Sequence, residues 1–216
     1  MTSFNEMKKL LETRALDESF SRVYLKENFE TQYNRFSEVL DAFKNLFDKN
    51  EEREVALFSA PGRTEIGGNH TDHNHGLVLA GGISLDAIAV AAKNDDGVIR
   101  IKSAGYPMDE VNCDDLAVKA EEEGRSKAIV RGIAARFKEL GYNVGGFDAT
   151  TASQVLSGSG LSSSAAFEVL VAKIVSYYYN NDADINNFFD TYGTHIIGSM
   201  VTGGRLEINY SIVSEH

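Results

Sequence analysis

Apolar residues between Phe36 and Phe47 recur at three- and four-residue spacing: Phe36, Val39, Leu40, Phe43, Leu46 and Phe47. That period predicts an amphipathic helix over about 33–48, within a first stretch of 50 residues that is polar and helix-rich. The charged run Lys49–Glu54 then reads as a solvated connector into a strand at Val55–Ser59, which Pro61-Gly62 interrupts. Farther on, Ala87–Ala92 and Val98–Lys102 flank Asn94-Asp95-Asp96-Gly97, two strand-like runs around an Asp-Gly turn, and so predict a hairpin. A second amphipathic helix fits Lys127–Leu140, with Ile129, Ile133, Phe137 and Leu140 on one face and Gly141 as its stop. Gly146–Ser153 has strand character and leads through a Gly/Ser loop into a long apolar helix from about Ser163 to Tyr178. Strands and helices mix without a regular βαβ rhythm, which predicts an α+β fold.

Composition narrows the function classes. The chain has 216 residues, 43% of them hydrophobic and 25% charged, the balance of a globular protein. Its net charge of −11 argues against a long nucleic-acid partner, which needs a basic face, but leaves a small nucleotide open. Cys113 is the single cysteine, so no internal disulfide forms. No run approaches the ~18–20 apolar residues of a membrane span, which argues against a membrane partner. Met1–Leu11, broken by Glu6, Lys8 and Lys9, does not read as an export signal, so the cytoplasm is the expected compartment.

Two loops carry the chemistry. Between Ala60 and Gly76 lie one Arg, one Glu, three His, one Asp, two Asn and four Gly. Arg63 offers a planar fork for oxyanions, and Asn69, His70 and Asp72 are the donor and acceptor types that read sugar hydroxyls. A turn-rich surface loop has the same composition. His70, Asp72, His73 and His75 are also metal-ligand types, although His-x-x-His-x-His matches no common structural zinc spacing.

The second loop, Leu156-Ser-Gly-Ser-Gly-Leu-Ser-Ser-Ser-Ala-Ala166, runs from a strand straight into the apolar helix. Free N–H groups and the positive end of a helix dipole favour phosphate there, although no Gly-Lys-Ser/Thr of a Walker A loop is present. Simple capping by Ser162 or Ser163 is the alternative, but capping does not call for Gly158 and Gly160.

Residues 59–83 and 156–169, in this order and at this separation, resemble the first two signature motifs of galactokinase in the GHMP kinase superfamily. The resemblance covers roughly residues 1–178 and implies an α+β N-terminal domain like domain 2 of ribosomal protein S5. It implies ATP-dependent phosphorylation of galactose at the 1-hydroxyl, with Mg²⁺. It further implies Arg63 as a catalytic residue near the anomeric oxygen, and His70 and Asp72 as ligands of sugar hydroxyls, with Asn69 beside them. Asn69 stands where most members have Glu, His73 where most have Tyr, and Leu156 where many have Pro. Gly158, Ser159, Gly160, Leu161, Ser162, Ser163 and Ser164 match the phosphate loop, with Ser163 nearest the metal.

The resemblance stops near residue 180. The Gly-x-Met-Asp-Gln segment that carries the family's catalytic aspartate is missing, and after Tyr179 only Asp182, Asp184 and Asp190 occur. The expectation is a kinase N-terminal domain over 1–180, truncated before the C-terminal domain, with impaired or absent turnover. Self-association through uncovered apolar surface follows from the missing half. In the remaining 181–216, Tyr192-Gly-Thr-His195 and Gly203-Gly204 resemble the membrane-attack-complex/perforin signature, which predicts an unrelated tail joined near 180. Two other functions stay in view: a non-catalytic sugar or nucleotide binder, and a fragment of a pore-forming protein.

Overall fold

The computed structural model describes residues 2–67, 79–156, 158, 160–183 and 211–212. Among them, seven strands form one sheet with helices on both faces. In chain order these are β1 (Thr2–Ser3), α1 (Phe4–Glu12), α2 (Asp17–Ser21), α3 (Phe29–Phe47), β2 (Glu54–Gly67) and β3 (Leu79–Lys93). Then follow β4 (Val98–Ser103), β5 (Met108–Asn112), α4 (Ser126–Glu139), β6 (Phe147–Ser153), α5 (Ser163–Tyr179) and β7 (Ser211–Ile212). The strand order is β1-β2-β3-β6-β4-β5, with β7 pairing β2 at Phe58 and Ser59.

The two faces are filled by residue size. Ile88 and Val90 on β3, with Val55 and Leu57 on β2, meet α1–α3, whose Phe4, Phe20, Tyr33, Phe36 and Phe43 are fully buried. The alternate positions Ala87, Ala89 and Ala91, with Ala56 and Ala60, face α4 and α5. Alternation along a strand sends successive side chains to opposite faces, and the small ones let a helix lie close. The helix that lies there, α5, is buried nearly all round from Ala165 to Ser176, which is why its sequence is apolar without a polar face.

Periodicity located the helices well. α4 falls within a residue of its predicted span, while α3 starts a turn earlier than residue 33. Leu46, assigned to the apolar face of α3, is 45% exposed, while its neighbour Phe47 packs on the core beside Phe43.

Two expectations need correction. Pro61-Gly62 does not end the first long strand: β2 continues to Gly67 through a bulge. Pro61 pairs with Asp86 and Arg63 with Gly82, so Ile83, Ser84 and Leu85 of β3 lie opposite Gly62 alone. Nor do β3 and β4 form a hairpin. β6 sits between them, antiparallel to β3 and parallel to β4, while β4 makes its hairpin with β5. The Asn94–Gly97 turn therefore spans two strand spacings, about 9.6 Å. Asn94 props it open, its N–H donating to Gly146 O (3.0 Å) and its Nδ2 to Val98 O (2.9 Å) and Asp148 Oδ1 (3.2 Å). Asp148 also takes Arg53 (2.7 Å) and Arg100 (3.2 Å), so this end of the sheet is tied by one buried carboxylate.

No helix among the described residues is long and apolar enough to cross a membrane.

Candidate functional site

The two motif loops meet at the β2 bulge. Arg63, just past it, is 6% exposed, and its backbone N–H donates to Leu161 O at 3.0 Å. Gly62 makes the approach possible. A Cβ there would stand 2.9 Å from Val155 Cγ2, 3.0 Å from Leu161 O and 3.1 Å from Ile83 Cδ1. Gly62→Ala is therefore expected to push the second loop off β2, at a cost of about 1–3 kcal/mol. Thermal unfolding checks the cost, and faster hydrogen exchange at the Arg63 amide checks the place.

Beyond β6, Gln154 N–H donates to Asp86 O (2.9 Å), and the Ser153 hydroxyl caps Val155 N–H (3.0 Å), which fixes the entry to the loop. Gly158 and Gly160 then adopt φ of +76° and +75°, conformations that glycine takes without steric cost. Ser162 follows with φ 62° and ψ 49°, left-handed although it is not glycine. It occupies the N-cap position of α5, but its side chain makes no capping bond, so helix capping does not account for this serine. Ala166 N–H is bonded back to Ser162 O (3.0 Å), and the amides of Ser163, Ser164 and Ala165 precede the first full helical turn. Gly158, Gly160 and Ser164 are exposed and Leu161, Ser162 and Ser163 half-buried, so this run faces outward around Arg63's neighbour Leu161.

Asn69, His70, Asp72 and Ser159 lie outside the described residues, as do the alternative metal-ligand types His73 and His75. Among the described residues no group of three or more His, Cys, Asp or Glu gathers as a metal site. The perforin-like positions Tyr192, His195, Gly203 and Gly204 also lie outside them. Of that tail, residues 181–183 are tied to the end of α5, with Asp182 N–H donating to Ser176 O (3.1 Å), and Ser211–Ile212 pairs antiparallel with β2.

Sequence reasoning missed a polar cluster behind the bulge. Asp86 on β3 takes hydrogen bonds from the Tyr24 hydroxyl (2.5 Å), the Ser59 hydroxyl (2.6 Å) and Arg35 Nη1 (2.7 Å). Burial, reinforced by the neighbouring Asp86 charge, raises the Tyr24 phenol well above its ordinary range, so it stays a donor. Its only local signal is a charged residue at the mouth of the apolar run Ala87–Ala92. Five residues beyond Ser163, Glu168 is 6% exposed with Oε2 unpartnered, and burial pushes its carboxyl up to about 8.

Known proteins resemble this chain in sequence and in fold. Residues 41–93 match the galactokinase galactose-binding signature, and residues 128–204 match the GHMP kinases N terminal domain. The second match continues through 204, so 24 of the 36 residues in 181–216 fall under the kinase family's own model; these findings give no support to a perforin-like tail. The galactokinase of Streptomyces coelicolor is 35% identical over 143 residues, 65% of this chain and 36% of that protein. That of Bacillus subtilis is 30% identical over 151 residues, 68% of this chain and 38% of that protein. The chain thus spans under two fifths of the length of these relatives. Among solved structures, Lactococcus lactis galactokinase complexed with galactose superposes with a TM-score of 0.62 at 27% identity, covering 70% of this chain and 39% of that one. Methanococcus jannaschii mevalonate kinase shares the fold, with a TM-score of 0.53 at 17% identity, covering 62% of this chain and 44% of that one. The chain carries the N-terminal region of the galactokinase/GHMP kinase family, folded as that family's α+β N-terminal domain.

Proposed function

We propose that this chain supplies the sugar- and phosphate-recognising half of a galactokinase-type reaction, in which ATP phosphorylates the 1-hydroxyl of galactose. The observation that supports this most directly is the Arg63 N–H bond to Leu161 O, which sets the sugar-motif strand against the Gly/Ser loop. In this reading Arg63 lies nearest the transferred phosphoryl group, and Asn69, His70 and Asp72 hold sugar hydroxyls. The amides and hydroxyls of Gly158–Ser164 receive the ATP phosphates at the positive end of α5. The hydroxyl of Ser163 is the hard oxygen donor suited to Mg²⁺, which neutralises phosphate charge when bound. Arg63, the loop amides and the helix end position and neutralise charge, which is most of what phosphoryl transfer asks of a protein.

Orientation of the attacking hydroxyl is the part these residues do not cover. The family places that role on an aspartate in a Gly-x-Met-Asp-Gln segment, and no such segment occurs here. Loss of an orienting base lowers rates by about 10²–10⁴. The 216-residue chain is therefore expected to bind galactose and Mg-ATP while releasing ADP at background rate. A coupled ADP assay with and without galactose, run beside calorimetric titration of each ligand, tests this. Galactose-dependent ADP release would overturn the impaired-turnover part, and no binding of either ligand would overturn the whole reading.

A further inference from the structure

The contact between the two loops is backed by a carboxylate that belongs to neither of them. Asp86 is 2% exposed and pairs across the sheet with Pro61, at the rim of the bulge. Its side chain grips β2 through Ser59, two residues before Pro61, and grips the helical layer through Tyr24 and Arg35. Its backbone oxygen accepts from Gln154 N–H (2.9 Å), at the entry to the Gly/Ser loop, and from Arg35 Nη2 (3.3 Å). One residue thus touches the sugar-motif strand, the chain feeding the phosphate loop, and the helices that cover the sheet. A buried charge is costly unless fully paired, and an apolar residue would fill the space without that cost.

Asp148 provides an internal comparison. It is similarly buried and bonded to Arg53, Arg100 and Asn94, yet it lies on β6 beside the opposite end of β3, and among the described residues none of its hydrogen bonds reaches a motif loop.

We propose that Asp86 is a positioning residue that sets the spacing between the Arg63 strand and the Gly/Ser loop. Its consequence for ligand affinity rests on the function proposed above; its consequence for the loop contact does not. Asp86→Asn keeps the shape and removes the charge that Arg35 and the two hydroxyls address. Hydrogen exchange at the Arg63 and Gln154 amides, measured on the full chain, is expected to accelerate at least about tenfold relative to amides of the β4–β5 hairpin. Affinities for Mg-ATP and galactose are expected to fall about tenfold together, because sub-ångström displacement of a positioned group is amplified at a site. Asp148→Asn, a loss of similar size to stability, is expected to leave the exchange ratio and both affinities within about twofold.

If Asp86→Asn fails to fold, Tyr24→Phe and Ser59→Ala each remove a single donor and are expected to shift the same ratio about threefold. Equal exchange ratios for the Asp86 and Asp148 variants, or an unchanged ratio in Tyr24→Phe and Ser59→Ala, would overturn the proposal. If the unaltered chain binds neither ligand, the proposed function falls, and the exchange ratio still decides the role of Asp86.

Discussion

Gly146→Ala is expected to unfold much of the domain's margin, with a loss of about 3 kcal/mol or more. Gly146 lies under the wide β3–β4 turn, where a Cβ would run into Asn94 Oδ1 and stand 2.5 Å from Val98 N and 2.8 Å from Val98 O. Two of these are backbone atoms of Val98, which pairs with Asn112 on β5 and precedes the β4–β6 pairing that starts at Ile99, so neither side can yield cheaply. Relief would require the turn to lift, breaking the Asn94 N–H bond to Gly146 O and the bond from Asn94 to Asp148. For a domain of this size each kcal/mol moves the melting point about 2–4 °C, so a fall near 10 °C is expected. Gly82→Ala is the matched control, since nothing lies within 4 Å of a Cβ there, and it should stay within about 0.5 kcal/mol. Equal melting points for the two variants would contradict the strand order as well as the packing.

The second large effect depends on pH. Glu168 has no described hydrogen-bond partner, and its folded-state carboxyl titrates near 8 against an ordinary value of 4.5 because it is desolvated. Below pH 4.5 both folded and unfolded chains hold the proton, and the group costs nothing. As pH rises from 4.5 to 8 the unfolded chain releases the proton while the folded chain keeps it, and stability declines. Full conversion of that shift amounts to about 5 kcal/mol, at 1.36 kcal/mol per unit, an upper figure for a site that relaxes on ionisation. Glu51, Asp96, Asp115 and Glu122 act in the opposite sense: their partners Lys44, Arg100, Lys119 and Arg131 hold them ionised, so they lose stability only as pH falls. Stability is thus expected to peak near pH 5 and fall toward pH 8. Glu168→Gln should flatten that decline and melt several degrees higher than the unaltered chain at pH 8, with no gain at pH 4. Parallel pH profiles for the two proteins would sink this account of Glu168.

How much of this was legible beforehand differs by element. α4 and α5 could be bounded closely because their signals are local: a 3.6-residue period in one, an unbroken apolar run in the other. The sequence alone points to a β3–β4 hairpin because the Asp-Gly turn looks the same whether its strands touch or stand one strand apart. What separates them is β6, about 50 residues farther along the chain. The two motif loops were recognisable by their glycine, serine and polar content. Their contact through Gly62 was not, since a glycine's purpose is visible only once Val155 and Leu161 are beside it. Asp86 was missed for the same reason: Ser59, Arg35 and Tyr24 lie 27, 51 and 62 residues away in sequence. Local pattern reports elements and loop chemistry, while long-range contacts decide which loops share a site.

In the proposed function, the Gly/Ser loop, the start of α5 and the Arg63 strand form one phosphate-binding surface. Amide chemical-shift mapping of the full chain on addition of Mg-ADP, then galactose, tests it directly. Gly158, Gly160–Ala165 and Arg63 are expected to shift together with nucleotide, while the Asn94–Gly97 turn and β5 at the far end stay still. Shifts confined to other elements, or none at millimolar nucleotide, would contradict it.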